Sequence, residues 1–103
     1  MLIHNVYFWL QPDTPESERK AFEKGMKTFL DAVDEVQKYH IGVPAATPKR
    51  DVVEHSFGYS MFVWFNSVEE HNTYQSHPGH DVFIETYKHL WAKVQVLDSE
   101  KIG

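Results

Sequence analysis

The sequence lacks cysteine and long apolar runs, and each absence removes a class of protein. Without cysteine, neither disulfide bonds nor thiolate metal sites form. This composition fits a reducing compartment, so we expect a cytoplasmic protein. No apolar stretch approaches the ~20 residues of a membrane-spanning helix, which argues against a membrane partner. The apolar N-terminus also lacks the basic start and the small-residue cleavage site of a signal peptide, and it is more typical of a strand.

Positive charge is scarce as well, because 10 Lys and Arg residues face 15 Asp and Glu residues, for a net charge of −5. A general nucleic-acid-binding protein needs a basic surface, so we expect no nucleic-acid partner. Phosphate-binding glycine loops and recognisable nucleophile constellations are missing too. The sequence therefore indicates either cofactor-free chemistry or no chemistry, and we expect no cofactor.

The secondary-structure pattern predicts one α+β domain over residues 1–103, since a chain of this size supports a single core. The order β-α-β-β-α-α-β favours a ferredoxin-like plan, a four-stranded antiparallel sheet with helices on one face only. The predicted elements are a strand Leu2–Leu10, a helix capped by Thr14 from Pro15 to about Tyr39, a weak strand Ile41–Ala45, a strand Ser56–Phe65, a helix capped by Asn66 or Ser67 through Tyr74, a helix His80–Trp91 and a strand Lys93–Leu97.

Aromatic residues are abundant, at 15% of the chain, and they occupy both faces of the two strong strands. A sheet with one wet face should alternate apolar and polar residues, and these strands do not. The helices cover one face only, so the other would expose more apolar surface than a soluble monomer usually tolerates. We therefore expect a two-fold homodimer packed sheet to sheet, with four residues at the interface: Tyr7, Trp9, Phe62 and Trp64.

The most informative segment runs from Tyr74 to Phe83 and holds a phenol, two imidazoles and a further aromatic ring, with a proline and a glycine between them. His77 precedes Pro78, which pushes it out of the helical conformation and should end the second helix. Gly79 then frees the backbone to restart in a new direction. The sequence predicts a helix-turn-helix corner whose side chains converge on one pocket.

Together with other segments, this corner resembles the stress-responsive A/B barrel (Dabb) family of the dimeric α+β barrel superfamily. The resemblance covers nearly the whole chain and implies a homodimer whose two sheets face each other, with helices outside. The residues that carry it are His4, Phe65-Asn66-Ser67-Val68-Glu69, the Tyr74…His77-Pro78-Gly79-His80 corner, and Trp91…Val94-Val96-Asp98.

The family includes plant polyketide cyclases with a histidine in strand one and a tyrosine and a histidine at the corner, which match His4, Tyr74 and His80. The resemblance implies that His80 is the catalytic base and that Tyr74 binds and orients the substrate. Phe83 and Trp91 match positions that line the cyclase pocket. The first helix, around Met26, departs from the aromatic wall that houses an alkyl chain there.

From the residues themselves, we expect one cavity per subunit, with His4, Tyr74 and His80 as candidate catalytic groups. Its apolar lining should come from four further residues: Tyr59, Met61, Phe83 and Trp91. Such a cavity suits a small apolar or carbonyl-bearing ligand. Three alternatives stay open: His80 only caps or pins the corner, the protein binds a ligand or serves in stress response without catalysis, or the cavity holds haem through His80 or His89.

A metal site is not expected from the histidines of the corner region. His71, His77 and His80 are separated by six and three residues across a proline. Zinc needs three or four convergent ligands, and this spacing does not put them on one face.

Overall fold

The computed structural model describes all 103 residues. It contains four strands, three α-helices and one 3-10 turn. In chain order these are β1 (Leu2–Leu10), α1 (Glu16–Asp31), β2 (Lys38–Gly42), β3 (Tyr59–Phe65), α2 (Val68–Ser76), α3 (Pro78–Tyr87), the 3-10 turn (Lys88–Leu90) and β4 (Trp91–Glu100). Length and polarity together rule out each of the helices as a membrane span.

The strands form one antiparallel sheet in the order β2-β3-β1-β4, with the helices on one face. The two outer strands are therefore β2 and β4. This is the α+β, ferredoxin-like architecture that the sequence predicts, and the prediction is confirmed. Its consequence for the site is that β1, which carries His4, lies between β3 and β4.

The helix-covered face of the sheet holds the core. Burial alternates along β1, where Leu2, His4, Val6 and Phe8 are buried and the residues between them are half-buried. β3 follows the same alternation except at Ser60, which is buried as well. Against these strands pack the buried residues of the helical layer: Phe22, Met26, Phe29, Leu30, Tyr74 and Phe83.

The open face of the sheet carries the four aromatic residues expected at the interface, and all of them are half-buried: Tyr7, Trp9, Phe62 and Trp64. The segment 43–58, which connects β2 to β3, reaches part of this face. Phe57 packs edge-on against Tyr7 at 5.0 Å between ring centroids, and Trp9 Nε1 donates a hydrogen bond of 2.8 Å to Ser56 Oγ.

The first helix is shorter than predicted, ending at Asp31 rather than near Tyr39. The three-and-four spacing of apolar residues continues to Val33, which is buried. Val33 nevertheless lies after the end of the helix, and the chain reaches it by a turn. The predicted cap is also wrong, because Thr14 Oγ1 donates to the Gln11 carbonyl at 2.7 Å and Pro15 occupies the cap position. Because α1 ends early, residues predicted to be helical belong to β2 instead. This strand begins at Lys38, three residues before the predicted start at Ile41.

The bounds of three later elements also differ. β3 begins at Tyr59 instead of Ser56. α3 begins at Pro78 instead of His80 and ends at Tyr87, so Trp91 opens β4, a strand twice as long as the five residues predicted. The break itself is as predicted, since His77 has an extended conformation with φ −62° and ψ 135°.

Candidate active site

The corner between α2 and α3 is fixed by local hydrogen bonds. α2 starts at a serine cap, where Ser67 Oγ accepts from the Glu70 amide at 3.1 Å. At the corner, His77 Nδ1 accepts from the Gly79 amide at 2.9 Å. His77 is therefore the cap of α3, and the side chain of His80 is free of that structural role.

A cavity of about 210 Å³ lies between the sheet and the α2–α3 corner. Residues of three strands, β1, β3 and β4, and of both helices, α2 and α3, line it. Nine of its twelve lining residues are hydrophobic, and the polar groups come from β1 and the corner. The lining residues are His4, Val6, Phe8, Met61, Tyr74, Gln75, His80, Phe83, Ile84, Trp91, Val94 and Val96.

Six of the seven residues predicted for the site line this cavity, and Tyr59 does not. Its parity in β3 places it on the helix-covered face, as expected, but nearer α1. There the Tyr59 hydroxyl donates to Glu23 Oε2 at 2.5 Å. Burial, with help from the Glu23 carboxylate, raises the pKa of Tyr59 to about 12. Tyr59 thus belongs to the sheet–α1 contact instead of the cavity.

The three candidate catalytic rings form a row. The Tyr74 ring centroid lies 5.6 Å from that of His4 and 5.3 Å from that of His80, with edge-on geometry on both sides. Tyr74 is 1% exposed. A phenol therefore stands between two imidazoles from distant parts of the chain, all bordering the same cavity.

His4 is held in place by Asp98. The two residues are cross-strand partners in the β1–β4 register, and His4 Nδ1 lies 2.6 Å from Asp98 Oδ1. A carboxylate only accepts hydrogen bonds, so Nδ1 carries the hydrogen and Nε2 keeps its lone pair. The pair thus fixes both the tautomer and the orientation of the His4 ring.

Burial sets the protonation state of all three groups. It lowers the pKa of His4, against the opposing pull of Asp98, and it lowers the pKa of His80 despite the neighbouring Asp81 carboxylate. Burial and the negative charge of Asp98 raise the pKa of Tyr74. Near neutral pH the cavity therefore presents two uncharged imidazoles and one protonated phenol.

Sequence reasoning missed some polar groups at or beside the cavity. Gln75 lines it, and Trp91, expected as apolar lining, has a buried Nε1 without a hydrogen-bond acceptor. The sequence gives Asp98 no role beyond the family resemblance. The ring centroid of His71 lies 4.8 Å from that of His4, a neighbour that the spacing of His71 to His77 and His80 does not indicate.

The haem alternative loses one of its two histidines. His89 is absent from the cavity lining, and its side chain is 62% exposed beside Glu18, with Nε2 and Oε1 3.6 Å apart. Of these two histidines, only His80 lines the cavity.

Comparison with known proteins agrees with this fold. No curated protein matches the sequence. Among solved structures, a Dabb family protein from Mesorhizobium loti superposes with a TM-score of 0.80 at 22% identity, covering 99% of this chain and 97% of that one. A hydroxynitrile lyase from Passiflora edulis gives 0.80 at 15% identity, covering 95% and 90%.

A dimeric ferredoxin-like protein of unknown function from Thermobifida fusca gives a TM-score of 0.77 at 12% identity, covering 95% of this chain and 88% of that one. At these identities the likeness shows the fold alone. The sequence profile of the Stress responsive A/B Barrel Domain, Dabb, matches residues 2–101, and the chain therefore belongs to the Dabb family.

Proposed function

We propose that this protein is a homodimer whose cavity binds a small, mostly apolar carbonyl compound and catalyses cofactor-free proton transfer on it. A reaction of the cyclase type belongs to this class. The observation that carries the proposal is the row of His4, Tyr74 and His80 along one apolar cavity. The three groups come from two distant segments of the chain and border one apolar cavity, which is the pocket composition typical of ligand sites.

The size of the cavity limits the ligand. Ligand pockets commonly measure about 300–1,000 Å³, and this one measures about 210 Å³. An engineered apolar cavity of about 150 Å³ holds benzene. The proposed substrate is therefore of the size of a substituted ring or a short chain, with one oxygen directed at the polar row.

The chemistry follows from the protonation states. Uncharged His80 accepts a proton from the carbon next to the substrate carbonyl. The electron pair of the broken C–H bond forms a C=C bond to the carbonyl carbon, and the π pair of the carbonyl moves onto its oxygen. The Tyr74 hydroxyl, kept protonated by its raised pKa, donates a hydrogen bond to the developing oxyanion. Protonated His80 then returns the proton to the product. His4, oriented by Asp98, binds the substrate from the opposite side of Tyr74.

Self-association is supported by the open face of the sheet. Tyr7, Trp9, Phe62 and Trp64 stay half-buried in a single chain, and a second copy packed against them would remove this surface from water. A structurally similar protein is dimeric. Sedimentation velocity at micromolar concentration tests this part, and a compact, stable monomer would contradict it.

The catalytic part is tested on one variant, His80→Ala, with His89→Ala as the matched control because that histidine lies on the surface. Native mass spectrometry of the wild type first identifies a retained ligand or a binder from a panel of small carbonyl compounds. We expect His80→Ala to abolish turnover while the fold, the dimer and the ligand remain. The control should keep full activity.

The alternative of a non-catalytic ligand-binding protein gives a different result. If His80 only stabilises the corner, His80→Ala should lower the melting temperature and leave ligand affinity unchanged, with no turnover in the wild type to lose. Measuring melting temperature, affinity and turnover on the same two variants separates the two functions.

A further inference from the structure

One cluster of possible metal ligands lies beside the cavity, and His4 is its only member that lines the cavity. In the proton transfer proposed above, His4 binds the substrate and Asp98 orients His4, whereas His71 has no role. His4, His71 and Asp98 each offer one ligand atom, and these atoms lie within 4.8 Å of one another. They come from three elements, β1, α2 and β4. The cluster therefore results from the fold and is invisible in the sequence spacing.

The distances between the ligand atoms are close to those of an occupied zinc site. With zinc–ligand bonds of about 2.0–2.2 Å, tetrahedral ligand atoms stand ~3.3 Å apart. His4 Nδ1 and Asp98 Oδ1 are already 2.6 Å apart, so they need to open slightly, while His71 needs to approach by up to ~1.5 Å to reach that separation. The Asp98 side chain is 42% exposed and His71 is only partly buried, so neither is fully enclosed by the core.

The His71 ring also has the outer partner that metal-binding histidines use. Its Nδ1 lies 3.1 Å from Asn72 Oδ1, an acceptor that keeps the hydrogen on Nδ1 and leaves the lone pair on Nε2. The competing contact of Nε2, to the Gln75 amide nitrogen, is long at 3.4 Å. Displacing it for a metal ion loses only a weak hydrogen bond.

We propose that His4, His71 and Asp98 form a three-ligand site for a divalent transition-metal ion of the zinc type, with the remaining coordination position open. Two imidazoles and one carboxylate with an open position are a ligand set that zinc uses in proteins. The ion would replace the hydrogen between His4 Nδ1 and Asp98 Oδ1. The His4 hydrogen then moves to Nε2, so metal binding reverses the His4 tautomer without a net change in protons.

The experiment needs no substrate, so its failure leaves the proposed function untouched. The full-length, chelator-treated protein is titrated with Zn²⁺ by calorimetry and with Co²⁺ by visible absorption. The variants are His71→Gln and Asp98→Asn, both at partly exposed positions. The matched control is His89→Gln, because His89 also lies beside a carboxylate, with 3.6 Å between Nε2 and Glu18 Oε1.

We expect one Zn²⁺ per chain, a Co²⁺ spectrum typical of low coordination number, and at least ten-fold weaker binding in both His71→Gln and Asp98→Asn. The control should bind as the wild type does, and circular dichroism should show that every variant is folded. Non-saturable binding, equal affinity in wild type and His71→Gln, or a loss of binding in His89→Gln would each overturn the site.

Discussion

The two faces of the sheet are built from the same strands and the same kinds of residue, yet they differ in how deeply their side chains are buried. On the helix-covered face, Phe8 and Val63 are exposed by 1% or less. On the open face, their strand neighbours Tyr7 and Phe62 remain half-buried. The difference comes from what lies above each face, namely three helices on one side and part of the segment 43–58 on the other.

The contrast separates the determinants of folding from those of assembly. The covered face contains both the core and the cavity, so the site depends on the packing that stabilises the chain. The open face contributes nothing to the cavity at the α2–α3 corner, so changes there should affect association and leave the site intact. Each prediction below tests one side of this division.

The largest effect is expected in the core of the covered face. Phe22 is fully buried and stacks edge-on against Phe8 at 5.1 Å between ring centroids. Phe22→Ala should lower the free energy of unfolding by about 3–5 kcal/mol, because it removes a large buried ring and leaves a void. Urea denaturation measures this, with Val82→Ala as a control of under ~0.5 kcal/mol at an exposed position. A loss below 1 kcal/mol would contradict the assignment of the core.

The second effect concerns the open face. Replacing Trp9 and Trp64 together with glutamate should abolish the dimer at micromolar concentration, since like charges would face each other across the two-fold axis. The variant should sediment as a monomer or aggregate. A dimer that persists in the double variant would place the interface elsewhere on the chain.

A smaller effect is expected at the helix that delivers Tyr74. Ser67→Ala removes the hydrogen bond from the Glu70 amide to Ser67 Oγ, and loss of a helix cap destabilises by ~1 kcal/mol. Thermal denaturation should show the change, whereas Ser67→Asp should preserve most of the wild-type stability, because aspartate also caps. Equal losses in both variants would argue against capping as the cause.

The smallest effect is a pH dependence of stability that originates in the cavity. The folded pKa values of His4 and His80 lie below the ordinary value of 6.5. As the pH falls below about 6.5, the unfolded chain takes up protons that the folded chain does not, so stability should fall. Melting temperatures between pH 8 and 5 measure the slope. His80→Gln should reduce this slope, and an unchanged slope in that variant would contradict the assignment.

Much of the fold could be predicted because its signals are local. The strand Leu2–Leu10 has its predicted bounds, since β-branched and aromatic residues run up to a proline. The break at Pro78 follows from a steric rule. The end of α1 was missed because neither glycine nor proline marks it, and the buried Val33 continues the helical spacing.

The residues that line the candidate cavity could be predicted where strand parity or a turn determines their position, and not where long-range strand pairing does. The parity of β1 directs His4 towards the helices, and the corner brings Tyr74 and His80 to the same cavity. Parity shows which face of the sheet a residue occupies, but not which helix packs over it. Tyr59 was therefore expected in the cavity, although it contacts α1. Asp98 acquires its role only through the β1–β4 register, which no local pattern reveals.

The position of β4 at the edge of the sheet has a consequence for how the cavity is observed. β4 pairs with β1 only, and Val94 and Val96, which line the cavity, are 42% and 46% exposed. Outer strands open more readily than central ones, so amide hydrogens of β4 should exchange with deuterium faster than those of β1. A ligand that fills the cavity should slow this exchange along β4, so hydrogen exchange can serve as a screen for ligands that needs no enzymatic assay.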